Sequence, residues 1–239
     1  MVSCLRMSGL LIIMAKQSVE GTVKTRLCPP LAPEDAKLLY DAFLGDTVEM
    51  VAHACRLAGD VTPALAYTPA GAHDHFKAML PDNFVLLPQV GHDLGERLCN
   101  LPVQAQHAGY GPVAMISSDS PTLRLDIAAE CFARLRKPEV DVVLGPCEDG
   151  GYYLIGMKAP QPSLFKGITW STSSVTQETL AAANRAGLAV STLPVWYDAD
   201  TIEDLGRIWA ELEDGMVGAT LTRATLAGLL PRVLLEVET

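Results

Sequence analysis

The segment KQSVEGTVKTRL places three cations and one glycine in a short loop directly after an apolar run. Lys16, Lys24 and Arg26 can converge on one anion there, because arginine offers a two-pronged donor to a phosphate and lysine acts as a point charge. Gly21 permits a left-handed backbone or a close approach to a ligand. Taken alone, the segment is equally well explained as a solvated loop with scattered cations, and it lacks the Walker A pattern G-x-x-x-x-G-K-S/T.

The segment AMISSDSPTL ends a second apolar run in polar residues. A carboxylate such as Asp119 at the carboxyl end of a strand is well placed to hold Mg²⁺ or Mn²⁺, which prefer oxygen ligands and bridge to phosphates. Ser118 beside it is a candidate substrate-binding residue. The alternative explanation is helix capping, with Ser120 as the N-cap and Pro121 at the first helical position. The two explanations are compatible, because Asp119 lies just outside such a cap.

Asp149 lies in the segment GPCEDGGYYLIG, between two apolar runs. Its Asp-Gly pair is typical of a hairpin turn, which by itself explains the segment. The functional interpretation is that Gly150 and Gly151 let the backbone approach a ligand beside the Asp149 carboxylate. The sequence leaves these two interpretations open.

The segment WYDADTIEDL carries Asp198 and Asp200 immediately before a predicted helix. Thr201 and Asp204 have the spacing of a capping box, which accounts for the helix start. It does not account for the two carboxylates upstream, at the carboxyl side of a strand. A metal ion facing Asp119 across the same site would account for them.

Two further loops carry weaker signals. The segment ITWSTSSV, with Trp170 and Ser171, offers hydroxyls at a helix start, where backbone N–H groups can hold an anion, and simple capping explains it as well. In GHDLGERL, Asp93 and Glu96 have the spacing of a helix N-cap, and that structural role is favoured. The histidines show no ligand spacing, and the G-x-S-x-G elbow of a serine hydrolase is missing.

Short apolar runs alternate with segments of helical periodicity along the chain. The predicted strands cover residues 9–15, 62–68, 84–88, 111–117, 141–146, 151–157 and 188–194, and the predicted helices cover residues 33–58, 73–80, 93–109, 124–137, 173–187, 201–215 and 220–230. Pro102 should kink or break the third helix. This alternation predicts one α/β domain over residues 1–239, with a mostly parallel sheet, helices on both faces and an inserted antiparallel hairpin. Ligands bind at the carboxyl ends of the strands in such sheets.

The bulk composition narrows the class of protein. Hydrophobic residues make up 49% of the 239 residues and charged residues 19%, which predicts a packed globule. The formal net charge of -10 argues against a nucleic-acid partner. No apolar run reaches the length of a membrane span, and the N-terminal apolar run is better explained as a core strand than as a signal peptide. The six scattered cysteines form no C-x-x-C pair, which favours reduced thiols in the cytoplasm.

Taken together, AKQSVEGTVKTRL, GHDLGERL, SSDSPTL, VVLGPCEDGGYYLIGM, FKGITWSTSSVTQET and DADTIEDL resemble one family. It is the DUF2064 group, a glycosyltransferase-like family of the nucleotide-diphospho-sugar transferase, GT-A-like superfamily. The match runs in order over nearly the whole chain, and VKTRL with GPCEDGGYYLIG is its most specific part. The resemblance implies a three-layer α/β sandwich of the GT-A or nucleotidyltransferase type.

The resemblance also implies roles for individual residues. Related nucleotidyltransferases, such as the CMP-KDO synthetases, place one metal-binding aspartate after the central strand and a second in a VDTPEDL-like segment. By that resemblance Asp119 and Asp200 are the metal pair of this chain. The first loop is then implied to bind the nucleotide phosphates through Lys16, Lys24 and Arg26.

The first loop departs from the family pattern. The family usually reads K-x-P-x-P-G-x-V-K-T-R-L, whereas this chain has Ser18 and Glu20 at the two proline positions. We expect the loop to be more flexible without the prolines, and Glu20 adds a negative charge beside the proposed phosphate site. The departure bears on the affinity of the site and on its substrate, although the cations and Gly21 are kept.

The leading hypothesis is a metal-dependent transferase that uses a nucleotide-activated sugar. Mg²⁺ or Mn²⁺ would be held by Asp119 and Asp200, while Asp149 would orient the acceptor or act as a base. The alternative is a nucleotidyltransferase that makes an NDP-linked product from an NTP and a phosphorylated acceptor. A third hypothesis is a non-catalytic protein that binds nucleotide sugars. The expected partners are therefore a nucleotide or nucleotide sugar and an unidentified acceptor, and the oligomeric state is left open.

Overall fold

A seven-stranded sheet with the strand order β3-β2-β1-β4-β6-β5-β7 organises the protein. The computed structural model describes residues 7–215 and 218–237. The strands are β1 (Gly9–Lys16), β2 (Val61–Thr68), β3 (Val85–Pro88), β4 (Val113–Ser117), β5 (Val142–Pro146), β6 (Tyr152–Met157) and β7 (Val190–Thr192). The helices are α1 (Pro33–Ala58), α2 (His73–Met79), α3 (Leu94–His107), α4 (Leu125–Leu135), α5 (Val175–Arg185), α6 (Ile202–Glu213) and α7 (Thr220–Val237).

Every strand of this sheet except β6 runs in the same direction. Strand β6 pairs antiparallel with both β4 and β5, so the hairpin around residues 147–151 is inserted into an otherwise parallel sheet. The predicted α/β class and the predicted inserted hairpin are therefore confirmed. The loops that follow β1, β4, β5 and β7 meet at one edge of the sheet, because those strands share one direction.

Both faces of the sheet are buried, as the near-continuous apolar runs of the strands require. In β1, Leu11 and Ile13 face a cluster that includes buried residues of α1, α2 and α4. Leu10 and Ile12 face the opposite cluster, which includes residues of α3 and α5. All four β1 side chains have 0% exposure, and burying each contributes roughly 1.5–3 kcal/mol. A third cluster packs α6 and α7 against the outer side of α1.

Two helices differ from the prediction. Of the kink or break that was predicted at Pro102, the break does not occur, because helix α3 continues from residue 94 to 107. Leu98, Leu101, Pro102 and Ala105 are buried on one side of α3, and this packing outweighs the loss of one backbone hydrogen bond. Helix α7 extends to Val237, beyond the predicted end at residue 230. Within residues 7–215 and 218–237, no helix combines the length and the apolar character needed to cross a membrane.

Candidate functional site

Three loops at the carboxyl edge of the sheet bring one lysine and two aspartates together. The Lys24 Nζ, in the loop after β1, lies 2.5 Å from Asp119 Oδ1 and 3.4 Å from Asp200 Oδ1. The same ammonium donates a hydrogen bond of 3.0 Å to the carbonyl oxygen of Ala199. The backbone N–H of Ala199 donates to the Asp119 carbonyl oxygen at 2.8 Å, which joins the loop after β4 to the segment after β7. The sequence prediction that these loops converge is thus matched by the geometry.

Lys24 is a buried cation. Its side chain is 4% exposed, and its ammonium also lies 5.6 Å from the centre of the Phe43 ring. Burial would lower the pKa of Lys24, but the negative charges of Asp119 and Asp200 outweigh burial and raise that pKa above its usual value. The ammonium is therefore charged at neutral pH. The backbone of Lys24 is left-handed, with φ of 47°, at the start of a short 3-10 helix.

Arg26 lies at the rim of this cluster. Its Nη1 is 2.9 Å from Asp200 Oδ2, and its side chain is 69% exposed. The backbone N–H of Asp200 donates to Asp204 Oδ2 at 3.0 Å, and Thr201 and Asp204 form the predicted capping box at the start of α6. The helix start therefore fixes the Asp200 backbone, while its carboxylate stays 35% exposed and faces the site.

Asp198 supplies a third carboxylate, next to Ser120. Ser120 Oγ donates a hydrogen bond of 2.6 Å to Asp198 Oδ1. Burial and the charge of Asp119 raise the pKa of Asp198 to about 6. The predicted N-cap role of Ser120 is wrong, because α4 begins only at Leu125 and the Ser120 hydroxyl is committed to Asp198.

Lys16, Gly21 and Ser118 surround the cluster without joining it. The exposed Lys16 ammonium donates to the carbonyl oxygen of Thr22. Gly21 has φ of +72°, the left-handed backbone that its residue type was expected to permit. Ser118 is buried, and its Oγ is 3.5 Å from Tyr40 Oη, so it forms part of the floor beneath the site.

The loop between β5 and β6 is held by its own contacts. The Gly151 N–H donates to Asp149 Oδ1 at 2.8 Å, which orients the Asp149 carboxylate. Gly150 has φ of +89°, and a β-carbon at this position would overlap the carbonyl oxygen of Ser173. The close approach that Gly150 permits is therefore one between two loops of the protein. The carbonyl oxygen of Gly150 also accepts a hydrogen bond of 2.9 Å from Thr176 N.

The loop before α5 uses several of its own donors. The Thr169 N–H donates to Glu178 Oε2 at 2.6 Å, and the Ser174 hydroxyl donates to Glu178 Oε1 at 2.7 Å. A carboxylate of the chain thus occupies donors that were candidates for an external anion. Trp170 packs edge-on to Tyr152, with 6.4 Å between ring centres, and Ser171 has φ of 63°. Both residues line a cavity that Asp149 also lines.

Two cavities meet at the Asp119–Lys24–Asp200 cluster. The basic pocket, of about 580 Å³, includes Lys16, Thr22, Lys24, Gln89, Arg97 and Ser118 in its lining. The aromatic pocket, of about 590 Å³, includes Leu98, Met115, Asp149, Tyr152, Trp170 and Asp198. Arg26, Asp119, Asp200 and Ser171 line both. A larger cavity of about 730 Å³, beside Asp46 and Trp196, shares no lining residue with either and lies away from the carboxylate cluster.

The residues of the cluster fit a divalent cation that is shared with a substrate. Asp119 Oδ1 and Asp200 Oδ1 both lie within 3.4 Å of one nitrogen, so the two carboxylates face the same small space. Within the part of the chain that the structure describes, no group of three or more His, Cys, Asp or Glu side chains is arranged to hold a metal. Mg²⁺ commonly binds to one or two carboxylates and completes its shell with waters and substrate phosphates. Two carboxylates beside a basic pocket match that pattern.

Sequence reasoning missed three residues of the basic pocket. Gln89 Nε2 donates to the carbonyl oxygens of Ala15 and Ala66 at 2.9 and 2.8 Å, and so ties the ends of β1 and β2 together. Arg97 was part of the segment GHDLGERL, where the helix cap explained the pattern and the arginine received no role. Tyr40 lies in the middle of α1 and accepts a hydrogen bond of 3.1 Å from the Lys16 backbone N–H. The position of Gln89 directly after a strand was the one available signal.

The fold is that of an α/β protein of the nucleotide-diphospho-sugar transferase, GT-A-like type. The chain belongs to the DUF2064 family, described as "Uncharacterized protein conserved in bacteria", whose model matches residues 50–172. The predicted family is therefore confirmed. A comparison with curated proteins gave no match.

Solved structures agree with this assignment. A candidate nucleotide-diphospho-sugar transferase from Desulfovibrio desulfuricans G20 is 30% identical over 94% of this chain and 96% of its own, with a TM-score of 0.84. A CMP:2-keto-3-deoxy-manno-octonic acid synthetase complexed with CTP is 11% identical, over 87% of this chain and 99% of its own, with a TM-score of 0.56. A cytidylyltransferase from Leptospira borgpetersenii serovar Hardjo-bovis (strain JB197) is 13% identical, over 95% of both chains, with a TM-score of 0.54. The last two likenesses establish a shared fold.

Proposed function

We propose that the protein is a metal-dependent transferase that uses a nucleotide-activated sugar. The observation that carries the proposal is the convergence of Asp119 and Asp200 on one cation at the junction of two pockets. A transfer reaction needs a donor and an acceptor to meet at the reacting atoms, and two pockets with a common wall supply that arrangement. The structural neighbours include proteins described as a candidate nucleotide-diphospho-sugar transferase and a cytidylyltransferase, which supports the transferase class.

The donor side of the proposed site is the basic pocket. Lys16 and Arg97 line it, and Arg26 lies where it meets the aromatic pocket. These cations would bind the diphosphate of a nucleotide donor, because arginine and lysine both pair well with phosphate oxygens. Asp119 and Asp200 would hold Mg²⁺ or Mn²⁺ beside it. When bound, such an ion supplies positive charge that stabilises the leaving diphosphate.

The acceptor side is the aromatic pocket. Trp170 and Tyr152 offer ring surfaces against which an acceptor packs, and the Asp149 carboxylate opens into the same cavity. The hydrogen bond from Gly151 N–H keeps one Asp149 oxygen fixed and leaves the other free to accept a proton from an acceptor hydroxyl. Asp149 would therefore orient the acceptor or act as the base.

A nucleotidyltransferase is the second candidate function. The neighbour complexed with CTP and the cytidylyltransferase favour it, because both share the fold. Such an enzyme would join an NTP to a phosphorylated acceptor and release pyrophosphate, whereas a glycosyltransferase would release a nucleoside diphosphate. The same metal and cation arrangement would serve either reaction.

The five cysteines that the structure describes as free thiols fit the proposed location in the reducing cytoplasm.

The experiment is a product analysis. The protein is incubated with Mn²⁺, a panel of NTPs and NDP-sugars, and mixed sugar and sugar-phosphate acceptors, and the released phosphates are separated by anion-exchange chromatography. Released nucleoside diphosphate supports the glycosyltransferase, and released pyrophosphate supports the nucleotidyltransferase. Thermal stabilisation by a nucleotide sugar with no turnover across the panel would contradict both and identify a binding protein.

A further inference from the structure

The Lys24 ammonium lies where the proposed metal would have to bind. A divalent metal held by Asp119 and Asp200 would lie about 2.0–2.1 Å from an oxygen of each. The ammonium already lies 2.5 Å from Asp119 Oδ1 and 3.4 Å from Asp200 Oδ1, and its own positive charge faces the same space. A metal bound through these two oxygen atoms would compete with the ammonium for them and would be repelled by its charge.

The cluster needs a cation even when no metal is bound. The carboxylates of Asp119 and Asp200 both contact the Lys24 ammonium, at 2.5 and 3.4 Å, so their negative charges lie close together. Carboxylates at such short range destabilise one another unless a positive charge lies between them. Arg26 reaches only the outer oxygen of Asp200. Lys24 is the side chain that contacts both Asp119 and Asp200.

Lys24 differs from the other cations of the basic pocket in its burial. Its side chain is 4% exposed, whereas that of Arg26 is 69% exposed. A lysine that served only to attract phosphate would be expected to extend into solvent, as Lys16 does. Lys24 also lines the basic pocket, so a diphosphate bound there would offer the ammonium a second partner within reach.

We propose that Lys24 is an internal counter-ion that holds the place of the metal between Asp119 and Asp200, and that it moves to the diphosphate when the metal binds. This inference rests on the proposed function of the site. It makes metal and diphosphate binding mutually dependent, because each ligand favours the state in which Lys24 has left the carboxylates. Lys24 is then a positioning residue for the metal as well as a phosphate ligand.

The first test measures Mn²⁺ affinity without nucleotide, by the EPR signal of free Mn²⁺, in the wild type and in Lys24→Met. The variant keeps most of the length of the side chain and removes the competing charge. We expect it to bind Mn²⁺ roughly 5- to 150-fold more tightly than the wild type, the usual range of such coupling. The matched control is Lys37→Met, which removes a lysine paired with Asp41 on the surface of α1 and should match the wild type. A Lys24→Met protein that binds Mn²⁺ no more tightly than the wild type would overturn the inference and leave the metal site standing.

The second test uses the wild type alone and so does not depend on the folding of a variant. Lysines are acetylated with acetic anhydride in EDTA and in saturating Mn²⁺, and the modified peptides are quantified by mass spectrometry. Lys24 should be protected in EDTA and become several-fold more reactive in Mn²⁺, while Lys37 changes little. Unchanged protection at Mn²⁺ saturation would overturn the inference. If neither protein binds Mn²⁺ in the first test, the metal part of the proposed function fails, and the inference fails with it.

Discussion

The basic pocket and the aromatic pocket adjoin each other, yet they offer a ligand different chemistry. The basic pocket presents Lys16 and Arg97, which recognise charge, and the aromatic pocket presents Trp170 and Tyr152, which recognise shape. Asp119 and Asp200 line both pockets and so form the wall that the two pockets share. This difference indicates which substrate belongs on which side: a diphosphate pairs with the cations, and the group that receives the transfer packs on the rings.

The largest effect on activity is expected from a substitution of Asp119, which lines both pockets. Asp119→Asn should lower kcat/KM by about a thousandfold, since it removes a proposed metal ligand at the point where both substrates react. Turnover of the donor identified by product analysis is the measurement. Asp126→Asn is the matched control, because Asp126 pairs with Arg124 on the surface. A tenfold loss or less in Asp119→Asn would show that the wall between the pockets is not the reaction centre.

Gly150, between β5 and β6, and Gly21, in the loop after β1, should respond differently to substitution by alanine. Gly150→Ala should reduce the free energy of unfolding by at least about 3 kcal/mol, because the new β-carbon overlaps the Ser173 carbonyl and φ is positive. Gly21→Ala should cost only about 1 kcal/mol, since a β-carbon there meets nothing within 4 Å and only φ is unfavourable. Urea unfolding monitored by circular dichroism measures both. Equal losses would mean that the hairpin loop is not held against Ser173.

The free energy of unfolding should depend on pH through the Asp198 carboxylate. The pKa of Asp198 is raised from 3.8 to about 6, so the folded state binds the proton more tightly than the unfolded state. Wild-type stability should therefore fall as the pH rises from about 4 to about 6, by roughly 2 to 3 kcal/mol at most. Asp198→Asn should lack this fall and become more stable than the wild type above pH 6. Unfolding in EDTA across pH 4–8 tests this, and parallel curves for the two proteins would contradict it.

Substitutions on opposite sides should separate donor binding from acceptor binding. Arg97→Ala should weaken nucleoside diphosphate binding about tenfold and leave the KM for the acceptor unchanged, because it removes one cation from the basic pocket. Trp170→Ala should raise the KM for the acceptor about tenfold and leave diphosphate binding unchanged, because it removes one ring from the aromatic pocket. Calorimetry and steady-state kinetics provide the two readouts. The assignment of pockets is wrong if the two effects are exchanged.

The fold was largely predictable because its strands are short apolar runs separated by turn residues, and the helices between them are strongly periodic. The inserted hairpin could be expected from the two apolar runs flanking the Asp-Gly turn. Pro102 does not break α3, because the packing of this helix outweighs the local propensity of proline. Ser120 misled the prediction because a serine before a proline looks like a cap, while its real partner, Asp198, is distant in sequence.

The site was predictable as a set of loops but not as a set of contacts. Strand direction alone indicated that Lys24, Asp119 and Asp200 share one edge of the sheet. The burial of Lys24 could not be predicted, since lysine is rarely buried and its partners are distant in the chain. Arg97 reaches the basic pocket only through the packing of α3, which no local pattern encodes.

The decisive experiment is a calorimetric titration of a nucleoside diphosphate into the wild type and into Asp119→Ala, each with Mn²⁺ and with EDTA. The titration shows whether the Asp119 and Asp200 carboxylates bind a metal that is shared with the donor. We expect Mn²⁺ to strengthen binding to the wild type by at least about tenfold, within the usual range of coupling between ligands, and we expect Asp119→Ala to lose this enhancement. Equal binding by both proteins, with or without metal, would contradict it.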